Sequence, residues 1–97
     1  MLTREDYLLI KLAEECAEIS HAVSKALIFG LDDAYPIDGI TNRTKIVNEF
    51  NDLVAVMSML ETDGVFNIDD ISTEEATKEK EAKVEKWLEY SQRLGRV

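Results

Sequence analysis

Two short acidic segments, Glu14-Glu15-Cys16-Ala17-Glu18 and Glu49-Phe50-Asn51-Asp52, hold the residues of this chain best suited to chemistry. Carboxylates crowded this closely repel one another unless a cation lies among them. At about 100° per residue of helix, Glu14, Glu15 and Glu18 share one arc, and Glu15 lies at the edge of an apolar face beside Leu12 and Ile19. Glu49 sits inside an apolar stripe, next to Ile46 and Leu53 and in line with Val56 and Leu60, with Asp52 at its margin. A carboxylate on a core-facing stripe is costly unless it is paired or binds a cation. Lys25, Arg43 and Lys45 are available as partners, and Lys11 supports Glu15 at i,i+4. One lysine does not balance two facing acidic segments, whereas a divalent cation does. Carboxylates without a soft ligand favour a hard ion, Mg²⁺ first and Mn²⁺ second; zinc would ask for Cys or His.

Other chemistries find no residues here. Glu18 and His21 form one Glu-x-x-His, but a di-iron bundle needs that motif twice and the chain has a single His; a symmetric dimer would supply the second copy, and the preferred reading of His21 is a surface or interface residue. There is no Ser-His-Asp set, no nucleophile elbow and no glycine-rich phosphate loop. Metal-assisted hydrolysis remains: a carboxylate-held Mg²⁺ binds phosphate oxygens, lowers the pKa of a water and neutralises a leaving pyrophosphate. The net charge of -9 disfavours direct binding to nucleic acid, yet an anionic substrate is accommodated where metal bridges it to the protein.

The elements that position these residues are helices. With one Pro and four Gly in 97 residues, the chain favours a few long helices in one domain, 1–97. A helix over about 3–29 opens on Thr3 and Asp6 and carries Leu9, Leu12, Cys16, Ile19, Val23 and Leu27 at helical spacing. The loop "GLDDAYPIDGIT" follows. Thr41 or Asn42 caps a second helix running to about Asp63, striped by Ile46, Phe50, Leu53, Met57 and Leu60. Ser72 and Glu75 match a capping box for a third, to about Leu94, with Ala76, Val84, Trp87, Leu88 and Leu94 on a narrow stripe. The expected fold is all-α: two long antiparallel helices plus a C-terminal helix. A core this small is naturally completed by oligomerisation. The lone Cys16, the absence of a signal-like start and the absence of a long apolar run point to a cytoplasmic protein without membrane contact.

The two acidic segments together resemble the E-E-x-x-E…E-x-x-D signature of MazG-like all-α nucleoside triphosphate pyrophosphohydrolases, and the tail "KVEKWLEYSQRLG" is similar to that of small phage-type members, whose location would be the host cytoplasm. The connection from "LIFGLDD" to "TNRTK" is longer than in the most compact members, which bears on the shape of the substrate pocket. The resemblance implies a MazG-like helical bundle that cleaves a nucleoside triphosphate between the α and β phosphates. It implies Glu15, Glu18, Glu49 and Asp52 as metal ligands, with two or more ions per site. Glu14 is implied as a further ligand, a support to the ligands, or, like Glu15, a catalytic residue acting on the attacking water. It also implies a homodimer or homotetramer in which partner helices complete the pocket. Lys25, Asn42, Lys83 and Lys86 are the candidate substrate contacts, and a purine such as dGTP is the favoured guess. The alternatives are a phosphoribosyl-ATP-type pyrophosphohydrolase and a non-enzymatic acidic helical interaction module.

Overall fold

The computed structural model describes residues 1–97 and contains three α-helices: α1 (Arg4–Phe29), α2 (Asn42–Thr62) and α3 (Glu74–Arg93), with one 3₁₀ turn at Ile68–Asp70 before α3. Each start has a local cause. The Thr3 hydroxyl accepts from the Asp6 N–H at 3.0 Å, and the Asp6 carboxylate accepts from the Thr3 N–H at 3.1 Å. This is the reciprocal box read from the sequence. Thr41 caps α2 by accepting from the Thr44 N–H at 3.2 Å. Gly30 ends α1 at φ 100, a conformation that side-chain-bearing residues rarely adopt.

The third start differs from expectation. Thr73, not Ser72, caps α3, accepting from the Ala76 N–H at 3.2 Å. Ser72 lies at φ 56, the left-handed region. It is turned out of the extended geometry that an N-cap needs, and the next hydroxyl along takes the role.

The chain divides into two compact units, 1–66 and 67–97. In the first, α1 and α2 run antiparallel. The Arg4 guanidinium donates to Asp63 at 2.7 Å at one end, and the Asn42 amide donates to the Gly30 carbonyl at 2.9 Å at the other. Leu8, Leu12, Glu15, Ile19, Ala22 and Ala26 are all buried or half-buried, and so are Asn42, Ile46, Glu49, Leu53, Val56 and Leu60. Both rows advance in alternating steps of four and three residues, the seven-residue period of helices packed along a seam. Leu60 is fully buried at 0% exposure.

This seam corrects the expected stripe of α1. Leu9, Cys16, Val23 and Leu27 are exposed, Leu27 at 83%, and on α2 Phe50 is 55% exposed. The first helix is apolar on two faces, and helical spacing alone does not say which of them meets α2. In the second unit, the rings of Trp87 and Tyr90 on α3 meet edge-on at 5.7 Å, and Lys78 pairs with Glu74 at 2.9 Å. No helix is long and apolar enough to cross a membrane.

Candidate metal centre

Two of the twelve seam positions are carboxylates, and they fall side by side. Glu15 of α1 and Glu49 of α2 are half-buried at mid-seam, while Glu18 and Asp52, one turn further along each helix, flank them at the exposed edge. One carboxylate oxygen from each of the four lies within 4.8 Å of all the others. Opposite ligands of a single Mg²⁺ stand about 4.2 Å apart, so this spread suits one ion after small side-chain adjustments, or a pair of ions.

No lysine or arginine is ion-paired with any of the four. Glu15 Oε2 and Glu49 Oε2 are buried and accept no hydrogen bond. Burial raises the Glu15 carboxyl above the ordinary carboxylate range, helped by the charges of Glu18 and Asp52 and by contact with Glu18. Contact with Glu18 is the leading cause for Glu49, because a protonated Glu49 can donate to it; burial and the charges of Glu18, Asp52 and Glu15 add to the rise. The group holds four carboxylates and no nitrogen donor, and two of its buried oxygens are left without a partner.

Three of the four cations that could have neutralised the cluster are engaged elsewhere, and the fourth, Lys25, lines the loop-end cavity without an ion pair. Arg43 pairs with Asp32 at 3.1 Å and Lys45 with Asp38 at 3.2 Å. Lys11 pairs with Glu14 at 2.9 Å, not with Glu15 as the i,i+4 spacing suggested, since i,i+3 neighbours on a helix are as close. That pair holds Glu14 outside the group of four. His21 is exposed, and so is Cys16, so neither presents a soft ligand from the seam.

The expected substrate contacts separate into two groups. Lys25 and Asn42 line one cavity at the loop end of the first unit. Asn42 is itself 8% exposed and gives an amide hydrogen to Gly30, which ties the loop to the start of α2. Lys83 and Lys86 belong to the second unit, where the Lys86 ammonium lies 5.5 Å from the centre of the Trp87 ring. The same cavity is lined by Asp33, Tyr35 and Lys45, which the motif reading did not single out as site residues. Their signal was available: an aromatic and several Asp in a loop longer than a turn between two helices requires.

No family model matches the chain, and neither does any curated protein or solved structure.

Proposed function

We propose that this chain is a divalent-metal-dependent nucleoside triphosphate pyrophosphohydrolase of MazG-like type, converting a (d)NTP and water to a (d)NMP and pyrophosphate. The observation that carries the reading is the meeting of Glu15, Glu18, Glu49 and Asp52 across one seam, with two buried carboxylate oxygens lacking any donor. Four hard oxygen donors match Mg²⁺, with Mn²⁺ as substitute. When bound, the metal supplies positive charge for phosphate oxygens and for the leaving pyrophosphate, and acidifies a water.

The residues do the rest. Glu49 and Glu15 face the seam and hold the inner side of the centre, while Glu18 and Asp52 complete it from the solvent side, where a triphosphate has access. Water attacks the α phosphorus, the α,β-bridging oxygen leaves with pyrophosphate, and a carboxylate such as Glu15 takes the proton that the water loses. Glu14, exposed beside them, contributes charge to the same edge. The working form is a homo-oligomer in the cytoplasm. In its support, the only buried apolar side chains of the single chain are Leu8, Ala26 and Leu60, while Leu27, Val47, Phe50 and Val54 stand exposed on the helices of the first unit.

The test is a panel of the eight common NTPs and dNTPs with Mg²⁺ or Mn²⁺, resolving the nucleotide products and pyrophosphate. Monophosphate plus pyrophosphate from any of them is the expected result. Silence across the panel from folded, metal-loaded protein overturns hydrolysis of the common nucleotides.

A further inference from the structure

The loop between α1 and α2 lines a half-open cavity of about 640 Å³, within the range of small-molecule sites. Its walls include Lys25, Phe29, Asp33, Tyr35, Asp38 and Lys45. Lys45 stands one helical turn from Glu49 and Lys25 two turns from Glu18, so the cavity begins roughly 6 to 10 Å along the helices from the carboxylates. A nucleoside attached to a phosphate at the carboxylates can bridge that distance.

The charges of the cavity choose which end of a nucleotide belongs there. Two lysines face two aspartates, and Lys45 is already paired with Asp38 and lies 5.5 Å from the centre of the Tyr35 ring. A balanced set gives little attraction to a polyphosphate tail. It suits an uncharged, aromatic, hydrogen-bonding group, for which the rings of Phe29 and Tyr35 offer flat surfaces.

Asp33 is the free acceptor of the set. Its backbone is fixed, with the N–H donating to the Gly30 carbonyl at 3.4 Å and the carbonyl accepting from the Asn42 N–H at 2.9 Å. No side chain pairs with its carboxylate, whereas both oxygens of Asp38 are occupied, by the Ile40 N–H and by Lys45. A carboxylate with two open oxygens is matched by two adjacent N–H donors. Among the common bases, guanine alone presents such a pair, N1–H and the N2 amino group, on one edge.

We propose that this cavity seats the nucleoside end of the substrate, with Asp33 reading the N–H donors of the base and favouring guanine. The proposal rests on the carboxylate centre as the seat of the phosphates. Its test involves neither metal nor turnover: ¹⁵N-labelled protein in EDTA is titrated with GMP, AMP, CMP and UMP while the backbone amide spectrum is followed. GMP is expected to bind most tightly, with shifts concentrated in residues 29–45. Asp33→Asn is expected to weaken GMP about tenfold with little effect on the other three, and Tyr35→Ala to weaken all four. Asp33→Asn leaves the loop's backbone bonds intact, and a dispersed spectrum verifies its fold. No shifts with any of the four, or GMP binding indifferent to Asp33→Asn, overturns the proposal. Base-selective binding by a protein that hydrolyses no triphosphate sinks the hydrolase reading alone.

Discussion

The middle of the α1–α2 pair and its loop end are built from the same kinds of residue and treat them oppositely. At the loop end two carboxylates are paired with cations, Asp32 with Arg43 and Asp38 with Lys45. The Asp38 carboxyl is held below its ordinary range, first by the Ile40 N–H; burial opposes this, and the hydrogen bond and charge of Lys45 add to the lowering. At mid-seam, Glu15 and Glu49 are raised, and their buried oxygens meet only other acceptors. Stable proteins rarely leave buried charges uncompensated without a reason. Within one unit of 66 residues, then, some acids are paired with cations while the mid-seam pair is not, the contrast on which the proposed metal centre rests.

The strongest break of this contrast is Glu49→Gln. Removing one seam carboxylate is expected to lower triphosphate hydrolysis at least about 100-fold while the helical circular dichroism stays unchanged. Full activity in that variant would remove the site from consideration. Next in size is the effect of the ion itself. Mg²⁺ or Mn²⁺ at a hundredfold excess over its dissociation constant is expected to stabilise the wild type by about 2.7 kcal/mol, read as a rise in Tm. Glu15→Gln combined with Glu49→Gln abolishes that rise if the four carboxylates hold the ion; a rise that persists places the ion elsewhere.

The pH response sharpens the comparison further. Folded Glu15 and Glu49 hold protons more tightly than the unfolded chain does, so from the ordinary carboxylate range upward the native state binds more protons. Metal-free stability is therefore expected to fall as pH rises through their raised folded values. Melts between about pH 4.5 and 7.5 check this, and the double Gln variant, which keeps most of the chain's overall negative charge, is expected to give a flatter curve. Asp38 works the other way: its contribution is present above its unfolded pKa and is lost as pH falls through the lowered folded one. Being exposed and paired at the surface, it is expected to cost no more than a few degrees of Tm on Asp38→Asn.

Much of the unit's plan was legible in the sequence, because it rests on local rules. The caps at Thr3 and Thr41 and the stop at Gly30 follow from hydroxyls and glycine at set positions. That the acids of α1 face Glu49 and Asp52 follows from their spacing and from Glu49 lying among apolar neighbours; the choice of Glu15 and Glu18 over Glu14 came from the resemblance. What stayed hidden depends on choices between equals. Leu9, Val23 and Leu27 read as well as Leu8, Leu12 and Ile19 for a core face, and only the partner helix decides. Ser72 and Thr73 are both good caps, and the backbone turn decides. The wall formed by Asp33, Tyr35 and Lys45 comes from a loop folding back between two helices, which no periodicity encodes.

The seven-residue spacing of the seam has one more consequence, for alignment fidelity. A seam of leucine, isoleucine and alanine alone buries similar surface when one helix slides along the other by seven residues, a displacement of about 10 Å. In this pair such a slip would carry Glu49 away from Glu15 and set each against an aliphatic neighbour. An ion shared among all four carboxylates can be held in only one of the alignments. With the proposed ion bound, the same four side chains would act as a ruler, and replacing Glu15 and Glu49 by leucine is expected to trade a single registered helix pair for a more stable but less singular one.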